Sequence, residues 1–424
     1  MQDDAFATPA PADFLDRIDP DCQKVLRRLG QFDYHGYLVG GGVRDLLLDR
    51  TPKDFDVATS ARPVEVRKLF RNCRLIGRRF RLAHILFAGG KIIELATFRA
   101  KPRVADDGAL ITDDNEFGSP ESDAHRRDFT INALFYDPET DTVIDYVEGL
   151  KDLDARLLRT IGEPVVRFRE DPIRMLRAVK FAARLDFDFE PATRAAILSE
   201  RWDLEKAAVP RLLEELFRLM KGGASRRSME LLDELGMLEI LVPEVAAFLG
   251  RPSEAPWAPL NAILDALDGQ INAGETFENG FMVAALFWPL YRATLRTMPR
   301  KLQSKHLRPI AERIVAPMGV RLRMPRRDLA TIIDILEGQV RFTSGRGRRS
   351  GRSTYARTPG FHAALKFLEL RALAEPISPQ MLEEWRELAA AYPPQPRRDD
   401  DERRRPRRRR RDRGFDDERP PRRR

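Results

Sequence analysis

Across 424 residues there are only two cysteines, Cys22 and Cys73, and five histidines. Two thiols cannot form a disulfide framework, and with so few scattered histidines they cannot complete a zinc site. Long apolar runs are missing too: the longest, Phe281 to Tyr291, is far below the roughly 18 residues that a membrane span needs. Met1 to Pro11 carries two acids and no apolar core, so it does not read as a secretion signal. The expectation is a cytoplasmic protein with no membrane partner, its cysteines being ordinary core or surface residues.

What the chain has in quantity is charge, 74 Lys+Arg against 66 Asp+Glu, a formal +8. The excess is local. Residues 397 to 424 hold 15 Arg and 8 acids, so this tail carries +7 and residues 1 to 396 only +1. The length calls for two or more domains, and 42% hydrophobic residues are enough to bury their cores. A fibrous or wholly disordered chain is excluded.

Tyr37 to Val39 reads as a short buried strand, Gly40-Gly41-Gly42 as a tight loop and Val43 to Leu48 as the start of a helix. Lys53 to Thr59 reads as a second strand and Pro63 to Phe70 as a helix. Ala83 to Phe87 and Lys91 to Phe98 read as strands joined by Gly89-Gly90. The result is an α/β head over residues 20–165. Long helical periodicity follows, as in Pro172 to Leu185, Arg211 to Met220, Ser228 to Leu235, Leu329 to Leu336 and Pro359 to Leu373, so 166–245 and 246–392 are expected to be all-α. A basic loop is expected from Phe342 to Ser353. Residues 393–424, rich in Pro, Arg and Asp, are too poor in apolar side chains to offset chain entropy and are expected to be disordered.

The glycine loop lets backbone N–H groups approach a phosphate at a helix N-terminus, and Arg44 adds a charged fork. It matches neither the Walker nor the dinucleotide pattern, and glycine turns between strand and helix are also ordinary structural devices. Asp54 and Asp56 stand at i and i+2 of the expected second strand, so both project from one face and suit a divalent metal. Spacing alone is weak: Asp152-Leu153-Asp154 and Asp186-Phe187-Asp188 share it without a glycine loop. Asp171 and Arg174 lie three apart at a helix start, with Arg177 continuing the stripe. An acceptor beside a donor can read adenine's pairing edge, while Asp171 also reads as an N-cap before Pro172.

Together Gly41-Gly42-Val43-Arg44-Asp45, Asp54-Phe55-Asp56, Arg126-Arg127-Asp128-Phe129-Thr130-Ile131-Asn132 and Glu170-Asp171-Pro172-Ile173-Arg174-Met175-Leu176-Arg177 carry a resemblance. They resemble the polymerase-β-type nucleotidyltransferases, in the bacterial group that holds tRNA CCA-adding enzymes and poly(A) polymerases. The resemblance implies a polymerase-β-like mixed sheet, Mg²⁺ (with Mn²⁺ as the alternative ion) on Asp54 and Asp56, and Asp128 completing the catalytic carboxylates. It further implies that Gly41, Gly42, Arg44, Arg127 and Arg177 bind the nucleotide, and that Asp171 and Arg174 select it. Glu94 is an additional candidate near the metals. The group commonly has a further arginine where this chain has Lys180, which keeps the charge without the planar fork.

Asn72 to Phe87 is similar to the poly(A) polymerase branch rather than the CCA-adding one, as are Phe361 to Ala364, Leu368 to Ala372 and the Arg-rich ending. The resemblance therefore implies ATP as substrate and RNA 3′ ends as partners, mRNA and other non-tRNA transcripts included. A CCA-adding enzyme and a catalytically silent RNA-binding protein are the alternatives. Arg321, Arg323, Arg326, Arg327, Arg346, Arg348, Arg349 and Arg352 crowd where acids are sparse, as a phosphate-binding surface requires, with Arg346, Arg348, Arg349 and Arg352 as the sharpest candidates. The acids of the tail screen its arginines, so it serves either weak RNA binding or protein contacts.

Overall fold

The computed structural model describes residues 6–77, 82–100, 117–250, 257–343 and 349–394. One mixed sheet forms the head, from β1 (Ala7–Pro9), β2 (Gly36–Val39), β3 (Asp56–Thr59), β4 (Cys73–Ile76), β5 (Leu82–Leu86), β6 (Ile92–Thr97), β7 (Leu134–Asp137) and β8 (Thr142–Asp145). Their order is β1-β8-β7-β2-β3-β6-β5-β4, with β3 and β6 parallel and the other neighbours antiparallel.

Local chemistry sets the head helices α1 (Pro20–Gly30), α2 (Gly41–Leu47), α3 (Pro63–Leu69), α4 (Pro120–Arg126) and α5 (Gly149–Asp154). In α1 the Asp19 carboxylate accepts from the N–H groups of Asp21 and Cys22, and Pro20 fills the first turn. Cys22, Val25, Leu26 and Leu29 then recur on one face, which is buried. Cys22 is thus a packing residue, its thiol pushed up to about 12 chiefly by burial.

Past the head come α6 (Pro164–Glu170), α7 (Ile173–Leu185), α8 (Pro191–Glu200), α9 (Val209–Lys221) and α10 (Ser225–Glu234). A two-stranded parallel pairing of β9 (Leu157–Leu158) with β10 (Asp188–Phe189) ties them to the head. The chain continues through α11 (Leu238–Leu241), α12 (Pro243–Leu249), α13 (Trp257–Asn272), α14 (Asn279–Arg296), α15 (Arg300–Arg321), α16 (Arg326–Thr343), α17 (Arg349–Ala356), α18 (Phe361–Ala374) and α19 (Pro379–Ala391). One apolar core runs from α1 and the sheet through α7, α9 and α14 to α18. A second covers the other sheet face over β7, β2 and β3, and a third joins Phe342, Phe361 and Trp385 at the C-terminal end. Among the described residues no helix is long and apolar enough to cross a membrane.

Three expectations change. The second strand begins at Asp56, not Lys53, so Asp54 stands in the loop before it. The expected basic loop is partly helix: Phe342 closes α16 inside the third core, and α17 takes up residues 349 onward. Arg352 there is no free loop cation. It donates to Glu384 at 2.7 Å and lies 5.1 Å from the Trp385 ring, because helical periodicity turns it against α19. Arg346 and Arg348, the side chain of Arg349, and the tail from residue 395 lie outside the described residues. Of the other arginines, Arg321 pairs with Glu244 and Arg327 with Glu278, both at 2.8 to 2.9 Å.

Candidate active site

Val39 ends β2, and Gly40 turns the chain with φ 68° and ψ −129°, a region open essentially to glycine. A Cβ there would also stand 3.1 Å from Arg127 Nη1. Gly40, Gly41 and Gly42 form one edge of a pocket of about 780 Å³ bounded by the sheet, α2, α7 and α9. Arg44 lines it as well, but its guanidinium is committed elsewhere. Nε and Nη2 donate to Asp45 at 2.9 and 2.6 Å, Nη1 donates to Asn132, and the Phe181 ring lies 5.2 Å away. With the side chain only 2% exposed, the fork expected on phosphate braces α2 against α7 instead.

Asp54, Asp56 and Glu94 make the acidic side. Parallel register sets Asp56 of β3 directly beside Glu94 of β6, so both project from one face. The protein crowding Asp56, then the charges of Glu94 and Asp54, push its carboxyl up to about 6 against the pull of Arg127, although the side chain stays open to the pocket. Carboxylates that repel one another this way fit a hard divalent cation. Among the described residues no group of three or more His, Cys, Asp or Glu is placed to hold a metal ion, so the donors here are the pair Asp54 and Asp56. An open donor pair of this kind suits Mg²⁺, which keeps waters and substrate phosphates in its shell.

Asp128 lines the same pocket, with its carboxylate already engaged. It accepts from Arg177 Nε at 2.7 Å, Asn132 Nδ2 at 3.2 Å and the Phe129 N–H at 2.9 Å. Burial opposes its charge, but Arg177 and these hydrogen bonds outweigh it and hold the carboxyl below its usual range. The structure thus brings Asp54, Asp56 and Glu94 together and gives Asp128 to the basic wall.

That wall is the pocket face of α7. Arg174, Arg177, Lys180, Phe181 and Arg184 recur at helical spacing, and Arg211 and Arg218 of α9 complete it. Phe181 gathers cations: Arg177 lies 5.6 Å and Lys180 4.8 Å from its ring, beside Arg44. Burial, then Arg177, brings the Lys180 amine down to about 8 despite Glu215 at 3.5 Å. Asp171 stands just before Pro172, the N-cap of α7, and the Arg174 side chain is not the partner of its carboxylate. Asp171 pairs bidentately with Arg211 at 3.0 and 2.8 Å, and accepts the Ile173 N–H at 3.3 Å. Arg174 donates to Glu170 and to the Arg167 carbonyl, each at 2.8 Å. Arg127 is held by Asp123 at 3.0 Å and the Asn132 carbonyl at 3.1 Å.

Sequence reasoning passed over Asn132, Arg167, Phe181, Arg184, Arg211 and Arg218. Arg167 holds the Arg126 and Arg127 carbonyls at 2.8 and 2.7 Å. Phe181 and Arg184 continue the stripe of Arg174 and Arg177 and were within reach of a longer periodicity argument. Arg211 and Arg218 come from α9, and no local signal points to them.

Three family models match successive parts of the chain: the poly A polymerase head domain over residues 36–159, the probable RNA and SrmB-binding site of polymerase A over 186–249, and the polymerase A arginine-rich C-terminus over 307–416. The chain is 39% identical to Poly(A) polymerase I of Salmonella typhimurium over 393 residues, covering 89% of this chain and 84% of that one. The chain belongs to the poly(A) polymerase family. It is a nucleotidyltransferase by that membership. Poly(A) polymerase I of Escherichia coli O6:H1 is 39% identical over 392 residues. The CCA-adding enzyme of Lactobacillus gasseri is 34% identical over 285 residues, 66% of this chain and 65% of that one. Among solved structures, the Bacillus stearothermophilus CCA-adding enzyme in complex with CTP matches with a TM-score of 0.63 at 26% identity, covering 88% of this chain and 83% of that one. The mixed sheet followed by helices is therefore the fold common to poly(A) polymerases and CCA-adding enzymes.

Proposed function

We propose that the protein is a template-independent RNA adenylyltransferase, which transfers AMP from ATP to an RNA 3′-hydroxyl and releases pyrophosphate. The observation that carries this is a single pocket in which Asp54, Asp56 and Glu94 stand opposite the cationic stripe of α7, with Asp171 at the start of that helix. Divalent ions, Mg²⁺ or Mn²⁺, held by Asp54 and Asp56 would supply activation of the hydroxyl and charge neutralisation of the phosphates. Gly41 and Gly42 let the triphosphate approach the backbone, and Arg127, Arg177 and Lys180 offset its charge. Asp128 positions Arg177 for that task. Residues 20–165 act as the catalytic head, 166–245 as the nucleotide-selecting neck and 246–392 as the RNA-guiding region. The tail, 393–424, supplies further RNA or protein contacts.

Asp171 offers an acceptor for the N6 amino group of adenine, and Arg174 a donor for N1. Guanine and uracil reverse that pattern and leave a carbonyl against a carboxylate. Cytosine presents an amino group and a ring nitrogen in the same order, so this pair by itself does not separate ATP from CTP. The preference for poly(A) synthesis over CCA addition is supported instead by the relatives, which match at 39% over 84% of their length against 34% over 65%. A non-tRNA oligonucleotide incubated with each nucleotide singly tests it: long tails with ATP alone are expected, and strict CTP, CTP, ATP addition to tRNA would sink the reading. Asp54→Ala and Asp56→Ala should abolish incorporation while RNA binding survives. Unchanged incorporation would refute both the site and the catalytic reading.

A further inference from the structure

The stretch from Asn72 to Phe87 was singled out by resemblance, and the chemistry above gives it no task. The sheet register suggests one. Asp56 of β3 pairs with Glu94 of β6, Glu94 with His84 of β5, and His84 with Arg74 of the edge strand β4. Residues directly opposed on adjacent strands project from the same face, so these four side chains form one row across four strands. His84 Nε2 and Glu94 Oε1 are 3.5 Å apart, which joins the middle of the row. Ile76 and Ile92 belong to the same face and flank the row on either side, 48% and 44% exposed. Over β7, β2 and β3 this face is covered by the second core, whereas Asp56, Glu94, Arg74 and the two isoleucines are exposed and His84 between them is half-buried.

We propose that this face of β4, β5 and β6 is the docking track for the 3′-terminal nucleotides of the RNA being extended. The inference rests on the reading that an RNA 3′-hydroxyl reaches Asp54 and Asp56. The order of charges along the row identifies the occupant. An RNA 3′ end presents an uncharged hydroxyl first and its phosphates further back. The row presents carboxylates at the pocket, then an imidazole, then a guanidinium at the sheet edge. Three strand spacings carry it about 14 Å from Asp56 to Arg74, so His84 meets the terminal part of the strand and Arg74 the phosphates behind it. The exposed isoleucines offer apolar surface to ribose and base faces on either side. A nucleoside triphosphate has the opposite polarity and is served by the α7 wall.

Length-resolved primer kinetics test this in the full-length protein. Arg74→Ala should raise KM for hexaadenylate at least fivefold while KM for ATP stays within twofold. KM for a dinucleotide primer, too short to reach Arg74, should not change. His84→Ala should raise KM for both primers, and Ile92→Ser should raise KM for hexaadenylate. Arg74 and Ile92 are exposed, so these variants keep the fold, and thermal melting checks it. A hexaadenylate KM equal to the wild type in all three variants, or a matching rise in KM for ATP, would overturn the proposal. Fluorescence anisotropy of labelled hexaadenylate reads the surface without turnover. Weakened binding in the variants supports the track even if no primer is extended, a result that would refute the adenylyltransferase reading alone. Equal affinities would refute the track.

Discussion

Asp56 should give the enzyme a pH limb that moves with Mg²⁺. Its carboxyl is pushed from 3.8 up to about 6 by the crowding protein, then by Glu94 and Asp54. About nine-tenths of the molecules would hold it ionised at pH 7 and about one-tenth at pH 5. Incorporation of labelled ATP into oligoadenylate at low, fixed Mg²⁺ should therefore fall about tenfold between those values. Proton and metal compete for the same oxygens, so raising Mg²⁺ should carry the limb toward acid. Glu94→Gln removes the largest charge acting on Asp56 and should lower the limb at any Mg²⁺ concentration, which separates this group from the titration of ATP itself. Stability changes with the opposite sign. A folded-state pKa raised above 3.8 means that the native protein favours the protonated form, so ionisation of Asp56 opposes folding from pH 3.8 upward, with the full penalty reached above about 6. Without metal, Asp56→Asn should raise Tm at pH 7 to 8, and the gain should shrink below pH 6 and vanish below 3.8. With saturating Mg²⁺ the ranking should reverse. A limb that ignores both a hundredfold change in Mg²⁺ and Glu94→Gln would refute the reasoning.

Asp128→Asn keeps the shape but leaves Arg177 facing Lys180 without its carboxylate. Breaking a partly buried pair of this kind costs about 1–3 kcal/mol, and KM for ATP should rise with it; an unchanged Tm and KM would show that Asp128 does not hold the wall. Gly40→Ala demands a backbone region that other residues avoid, at about 1–3 kcal/mol, and presses on Arg127; urea unfolding and KM for ATP should report both effects. Deleting residues 397–424, which carry +7, should weaken RNA affinity and flatten its salt dependence while the preference for ATP persists. Loss of ATP selectivity in that truncation would show that the tail acts on nucleotide choice.

Much of the head was legible because its signals are local. Strand, glycine turn and helix from Gly36 to Leu47 follow one another along the chain, and each is set by its own residue types. Asp152-Leu153-Asp154 shows where such reading runs out. It has the spacing of Asp54 and Asp56, yet it lies on α5, where Asp152 is buried and accepts from Thr130 and Arg159. The expected basic loop meets the same limit at its described positions. Composition registered the arginines from Arg346 to Arg352, but the carboxylates of Glu384, Glu244 and Glu278 reach Arg352, Arg321 and Arg327 only through packing of distant helices.

The sequence by itself determined the chemistry on offer: a glycine turn able to admit phosphate, carboxylates two apart, a cationic helix beginning after an aspartate, and a tail whose charge is separate from a nearly neutral body. These are properties of residue type and short spacing. Which groups face one another was decided by the tertiary structure. Parallel pairing of β3 with β6 set Glu94 beside Asp56, α9 brought Arg211 to Asp171, and Arg184 reached Asp45 across 139 positions. Side-chain period is local, whereas register and helix docking follow from how the buried apolar faces fit together, and that fit is a property of the whole core.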